Sequence, residues 1–237
     1  MNDATLRSRL GWIRPTPWRV LSVLVALPAL CLPGLTTTAS SEEPGGTGQA
    51  ILINEDPSNP TGQRYQGMVS WRADHVTAVG RPAETVVHAD VTIPELKLRM
   101  EMNVSRNSDA ALPASHLVDI TFTGPPDGGS EIVTLPGMML KLSEQTRGVP
   151  LRALAVRITS GRFLIGLSDV ESDRAQNLQL LKERAWFDIP VVYADQRRGI
   201  LAIEKGPRGE QIFRDALQAW EEPQLPQWLT APKPQKH

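Results

Sequence analysis

Apolar and polar residues alternate most regularly between Leu96 and Val104. Leu96, Leu98, Met100, Met102 and Val104 fall on one side, and Lys97, Arg99, Glu101 and Asn103 on the other. A period of two predicts a strand with one apolar and one wet face, as in an antiparallel sheet packed on one side. Val87, Ala89, Val91 and Ile93 repeat the pattern against His88, Asp90 and Thr92, and Pro94-Glu95 between the runs reads as a tight turn or an edge kink. Further strands are predicted over 50–53, 65–72, 117–123, 132–135, 154–159, 163–167, 187–193 and 200–204, with turn chemistry at Gly128-Gly129 and Arg197-Arg198-Gly199.

Two stretches switch to helical spacing. The first runs over about 169–184. Ser168 stands as its N-cap with Glu171 at the third helical position, the spacing of a capping box. Asp169, Glu171 and Asp173 put negative charge at the start of this helix, and Lys182 and Arg184 put positive charge at its end, both favourable to the helix dipole. The second helix covers about 208–220, with Ile212, Phe213, Ala216, Leu217 and Trp220 as its apolar stripe. Many short strands, a helix, two strands and a closing helix define a mainly β chain. The expected architecture is an antiparallel β-sandwich or an α+β domain with two helices in the C-terminal part.

The N-terminus follows a third pattern. Arg7, Arg9, Arg14 and Arg19 precede an apolar run over 20–35, and a small, polar segment follows it. That order is the layout of an export signal, with a cut after Ala39 fitting the small residues there. The run is shorter than the roughly 20 residues a spanning helix prefers, and it contains Pro28 and Pro33. Three readings stay open: a cleaved signal peptide, an uncleaved membrane anchor with Trp12 and Trp18 at the interface, or a buried apolar helix of a soluble protein. The first two place the domain outside the cytoplasm, in the periplasm or anchored in the inner membrane. Residues 40–49 read as a linker, 50–222 as one globular domain, and 223–237 as a Pro-rich disordered tail.

Composition narrows the chemistry. The 237 residues are 41% hydrophobic and 22% charged with a net charge of −1, which argues against a nucleic-acid binder and against wholesale disorder. The one cysteine, Cys31, cannot form an internal disulfide or a multi-thiolate zinc site, and Pro28-Ala29-Leu30 before it lacks the small residue expected beside a lipidated cysteine.

The segments LPASH (112–116), EQTRGVPL (144–151), FLIGLS (163–168), LLKERAWFDIP (180–190) and ILAIEKG (200–206), with IPELKLRMEMNVSRN (93–107) upstream, resemble a family of uncharacterised bacterial exported or membrane-anchored proteins. The resemblance spans about three quarters of the chain. It implies a shared domain and an envelope setting, and it carries over no site residue.

Each candidate constellation has a plain structural account. Ser168 follows a strand and precedes a helix, but Val170 stands where a nucleophile elbow needs its second glycine. His75, His88 and His116 lack the short spacings of a shared metal site. Met100, Met102, Met138 and Met139 suit soft metal ligation and, more simply, core packing. Asp169, Glu171 and Asp173 alternate like part of a calcium loop but lack its glycine and distant glutamate. Gly206-Pro207-Arg208-Gly209 opens a helix without the residues of a nucleotide loop.

Fifteen arginines against six lysines follow residue 39, and Arg147, Arg197 and Arg198 fall in turns where they can meet an anion or pair internally. The leading expectation is a non-enzymatic envelope domain that binds a protein or polymer through sheet edges and loops, with no catalytic residue, cofactor or metal nominated. The rivals are an envelope hydrolase assembled from distant residues such as His116, Asp119 and Glu144, and a membrane-anchored accessory subunit.

Overall fold

A computed structural model describes residues 47–76, 84–124 and 131–221. All belong to the second of two compact units into which the chain divides, residues 42–237. The predicted export segment, the Gly128-Gly129 turn and the Pro-rich tail lie outside the described residues.

Twelve strands form one antiparallel sheet: β1 (Gly48–Asp56), β2 (Asn59–Val76), β3 (Glu84–Ile93), β4 (Leu98–Arg106), β5 (His116–Thr123), β6 (Ile132–Thr134), β7 (Met139–Lys141), β8 (Val149–Pro150), β9 (Ala153–Thr159), β10 (Arg162–Leu167), β11 (Trp186–Tyr193) and β12 (Arg198–Glu204). Helix α1 (Glu171–Glu183) lies between β10 and β11, and α2 (Gly206–Glu221) follows β12. The mainly β, antiparallel class with two helices is the one the sequence predicts. The strand order is β8-β7-β11-β12-β1-β2-β3-β4-β5-β10-β9, with β6 paired to β11 beside β7.

This order forces the sheet to curl. Laid flat, eleven strands at about 4.8 Å spacing would separate β8 from β9 by roughly 50 Å. Those two end strands are joined by only Leu151 and Arg152, a connection that reaches at most about 11 Å. The sheet therefore rolls until its ends meet, and the alternating residues on its inner side fuse into one core. Ala50, Val69, Val91, Met102, Ile120, Ile165, Phe187 and Leu201 from eight strands share that core with side chains of both helices.

Helix α2 fills the curl. Its stripe of Phe213, Ala216, Leu217 and Trp220 is buried, as predicted, and Phe213 meets Trp71 and Phe187 at ring centroid distances of 5.4 and 5.6 Å. Gly209 lets the helix sit this low. A Cβ there would lie 2.9 Å from the Trp71 ring. Trp220 donates from Nε1 to the carbonyl of Thr85 at 2.8 Å, so the last turn is pinned to β3.

Three local expectations need correction. The alternation at Leu96 begins two residues later, because Pro94–Leu96 form a 3-10 turn closed by Lys97 in the left-handed region (φ 52°). β1 starts at Gly48, inside the segment read as linker. The capping box does not form: α1 begins at Glu171 after Val170, with no side-chain cap. The Ser168 hydroxyl instead donates to Asp173 Oδ2 at 2.9 Å and accepts from the Val170 N–H at 3.3 Å. Two residues between Ser168 and the first helical turn leave it outside capping position.

Candidate functional site

Strand β9 is the exposed end of the sheet. Its backbone pairs only with β10 among the described residues. Register places Leu154 and Val156 on the outer face, because their neighbours Ala155 and Arg157 align with the inward-facing Ile165 and Phe163, and Ile158 falls at the break in register before Thr159. These three apolar side chains are 72%, 43% and 50% exposed. Half-buried Leu164 of β10 and Leu117 of β5 continue the same face inward, Leu164 opposite Val156 and Leu117 one strand beyond Leu154. An unpaired backbone row beside an apolar stripe is the arrangement that natural sheets usually blunt with charge, proline or a covering element.

Across the sheet the outer face is built differently. On β2, β3 and β4, Arg72 pairs with Asp90 at 2.7 Å, His88 lies 3.1 Å from Asp74 and contacts Asn103, and Glu101 is exposed. The contrast within one sheet is between a charged, wet face and an apolar edge.

Concavities surround this frame. One, about 950 Å³, runs along the outer side of β1, β11 and β12 and is walled by Ile53, Pro136, Pro190, Val192 and Ile200. A cleft of about 800 Å³ lies between α1 and α2 and carries the mixed charges of Arg174, Lys182, Glu183 and Arg214. A smaller one, about 180 Å³, is lined by Arg106, Asn107, Ala114, Ser115, His116, Asp169 and Arg174. His116 is 2% exposed and packs on Trp220 at 5.0 Å between ring centroids. Burial, with the charges of Arg174 and Arg106 behind it, pulls its pKa down to about 4.

Two buried cations sit elsewhere. Lys205 is fully buried, donates to the carbonyl of Leu181 and lies 4.5 Å from the Phe213 ring centre. That carbonyl belongs to the last turn of α1, where backbone acceptors lack helical donors. Desolvation lowers the Lys205 pKa to about 7, with Glu210 opposing the shift. Lys141 pairs with Asp188 at 2.7 Å on the outer side of β11, and burial raises the Asp188 pKa against the pull of Lys141.

The residues singled out in the sequence do not converge. His116 and Asp119 share β5 but face opposite sides: His116 is inside, and Asp119 is outside, paired with Arg162 at 2.6 Å. Glu144 is engaged by Arg64 at 2.7 Å. Met100, Met102 and Met138 are core residues. His75 contacts Thr85 Oγ1 at 3.2 Å, and among the described residues no group of three or more His, Cys, Asp or Glu side chains gathers to hold a metal. Arg208 donates to the carbonyl of Trp71, Arg197 pairs with Asp195, and Arg147 is exposed. Arg197 and Arg198 both line the concavity of about 950 Å³ beside β1, β11 and β12. Arg106 and Arg174 share the cavity beside His116, brought together by the β4 end and the first turn of α1.

No helix among the described residues is long and apolar enough to cross a membrane. Comparison with family models, curated proteins and solved structures found no match to the chain.

Proposed function

We propose that the protein is a non-enzymatic binding domain that captures an extended segment of a protein partner by adding it to the sheet along β9. The observation that carries this reading is the coincidence, on one strand, of an unpaired backbone edge and the exposed stripe Leu154, Val156 and Ile158. Main-chain hydrogen bonds would supply affinity, and alternate apolar side chains of the incoming strand would rest against the stripe. The separation of His116 and Asp119 onto opposite faces counts against the hydrolase reading. The basic-then-apolar N-terminus and the family resemblance support a setting outside the cytoplasm, in the periplasm or tethered to the inner membrane.

A photo-crosslinking side chain at position 156 of the full-length chain, in its native envelope, tests the reading against the same probe at Glu101. Discrete adducts with one protein at 156, absent at 101 and lost with Leu154→Lys, are expected. No adduct at 156, or the same adducts at both positions, would overturn it. Adducts with a second copy of the chain would reassign the edge to self-association.

A further inference from the structure

We propose that the cavity bounded by Arg106, His116 and Arg174 is a binding site for a small oxyanion, a phosphate monoester or a carboxylate group. Its walls come from three separate parts of the fold. Arg106 ends β4, Ser115 and His116 begin β5, and Asp169 and Arg174 flank the start of α1. The volume, about 180 Å³, is some six times the share of one water in the liquid, enough for a group of several heavy atoms.

The lining is unbalanced in charge. Two guanidinium groups face a single carboxylate, that of Asp169, while His116 is neutral near pH 7 because of its burial and those same arginines. One positive charge is left over, and an oxyanion cancels it. The donors are available too. Arg106 spends Nη1 on the Trp220 carbonyl at 3.1 Å and keeps its other N–H groups, and the Arg174 side chain makes no hydrogen bond or ion pair among the described residues. Asn107 is committed to the loop itself, its Nδ2 lying within hydrogen-bond distance of the carbonyls of Asp109, Leu112 and Ala114.

His116 supplies the independent sign of a ligand. Its Nδ1 lies 3.2 Å from Ser115 Oγ and, in the tautomer with the proton on Nε2, accepts from that hydroxyl. Nε2 is buried with no partner among the described residues. An orphaned buried N–H in a native fold calls for an acceptor, and an oxygen of a bound anion provides one.

Two titrations of the full-length chain test the proposal, one with inorganic phosphate and one with acetate, following the His116 ring by NMR with His116→Gln to assign it. Saturable binding with an upward shift of the His116 pKa is expected, because the anion offsets the two arginines. Phosphate alone binding identifies a phosphate monoester site, and acetate alone a carboxylate site. Arg174 is exposed, so Arg174→Ala should leave the unfolding midpoint unchanged and weaken binding tenfold or more, while Arg174→Lys restores part of it. No saturable response to either anion at tens of millimolar, or wild-type affinity in Arg174→Ala, would overturn the proposal.

Discussion

Asn177 grips the backbone of Arg152 from both sides: its Nδ2 donates to the Arg152 carbonyl and its Oδ1 accepts from the Arg152 N–H, each at 2.9 Å. Arg152 is half of the two-residue link between β8 and β9, the place where the curled sheet meets itself without pairing. A buried side chain on α1 thus takes the role a neighbouring strand would have had. The Ser168 N–H, donating to the same carbonyl at 2.8 Å, strengthens the joint.

Asn177→Ala should therefore cost about 2 kcal/mol, since it removes two hydrogen bonds and strands polar groups at a closed seam. Asn177→Asp keeps the acceptor, loses the donor and should fall between. Denaturant unfolding of the two variants against wild type checks the order.

His116 makes stability fall in acid. Its pKa is about 4 in the fold against 6.5 for an unperturbed ring, so between these values the unfolded chain binds a proton that the folded chain refuses. Stability is full above pH 6.5 and is lost as pH drops towards 4, by roughly 3 kcal/mol over the window. His116→Gln should flatten that part of the pH–stability curve whatever its effect at pH 7. Urea unfolding at pH 4.5, 5.5 and 7 measures it.

Lys205 acts in the opposite half of the scale, with the same sign. Its pKa is about 7 in the fold and 10.5 when unperturbed. Below pH 7 both states carry the proton and the burial penalty is present in full. Between pH 7 and 10.5 the unfolded chain binds more protons, so stability rises with pH, by a few kcal/mol. Lys205→Met should abolish this rise and be at its most favourable relative to wild type near pH 6. Parallel unfolding curves for the two proteins at pH 6 and 9.5 would contradict the assignment.

What the sequence disclosed and what it concealed have physical causes. Strands β3, β4 and β5 declare themselves because each buries one face, so Val91, Met102 and Ile120 recur at period two. Helix α2 does so because its stripe packs on a single side. The curl stays hidden, since it depends on which strands neighbour each other, and no local period encodes that order. Strands β7 and β8, three and two residues long, are too short to carry any period. Ser168 and Glu171 have capping-box spacing, yet tertiary contacts moved the helix start past the serine. The segment 154–159 reads as a strand, but alternation there could not tell a half-buried strand from an edge. Leu154 looks like a core residue until β9 is seen to pair on one side only among the described residues. The meeting of Arg106 with Arg174 was equally illegible, because 68 positions separate them and only the placement of the α1 start beside the β4 end joins them.

The central claim, that β9 is an edge for an incoming strand, is tested most directly by amide hydrogen exchange on the full-length chain with and without an extract of its native cells. Alone, the outward-facing amides of residues 153–159 should exchange fast beside slow ones in β10. With the extract added, the account predicts protection confined to β9 and the facing residues of β10, abolished by Val156→Lys. Slow exchange throughout β9 in the isolated chain, or protection elsewhere with β9 unchanged, would contradict it.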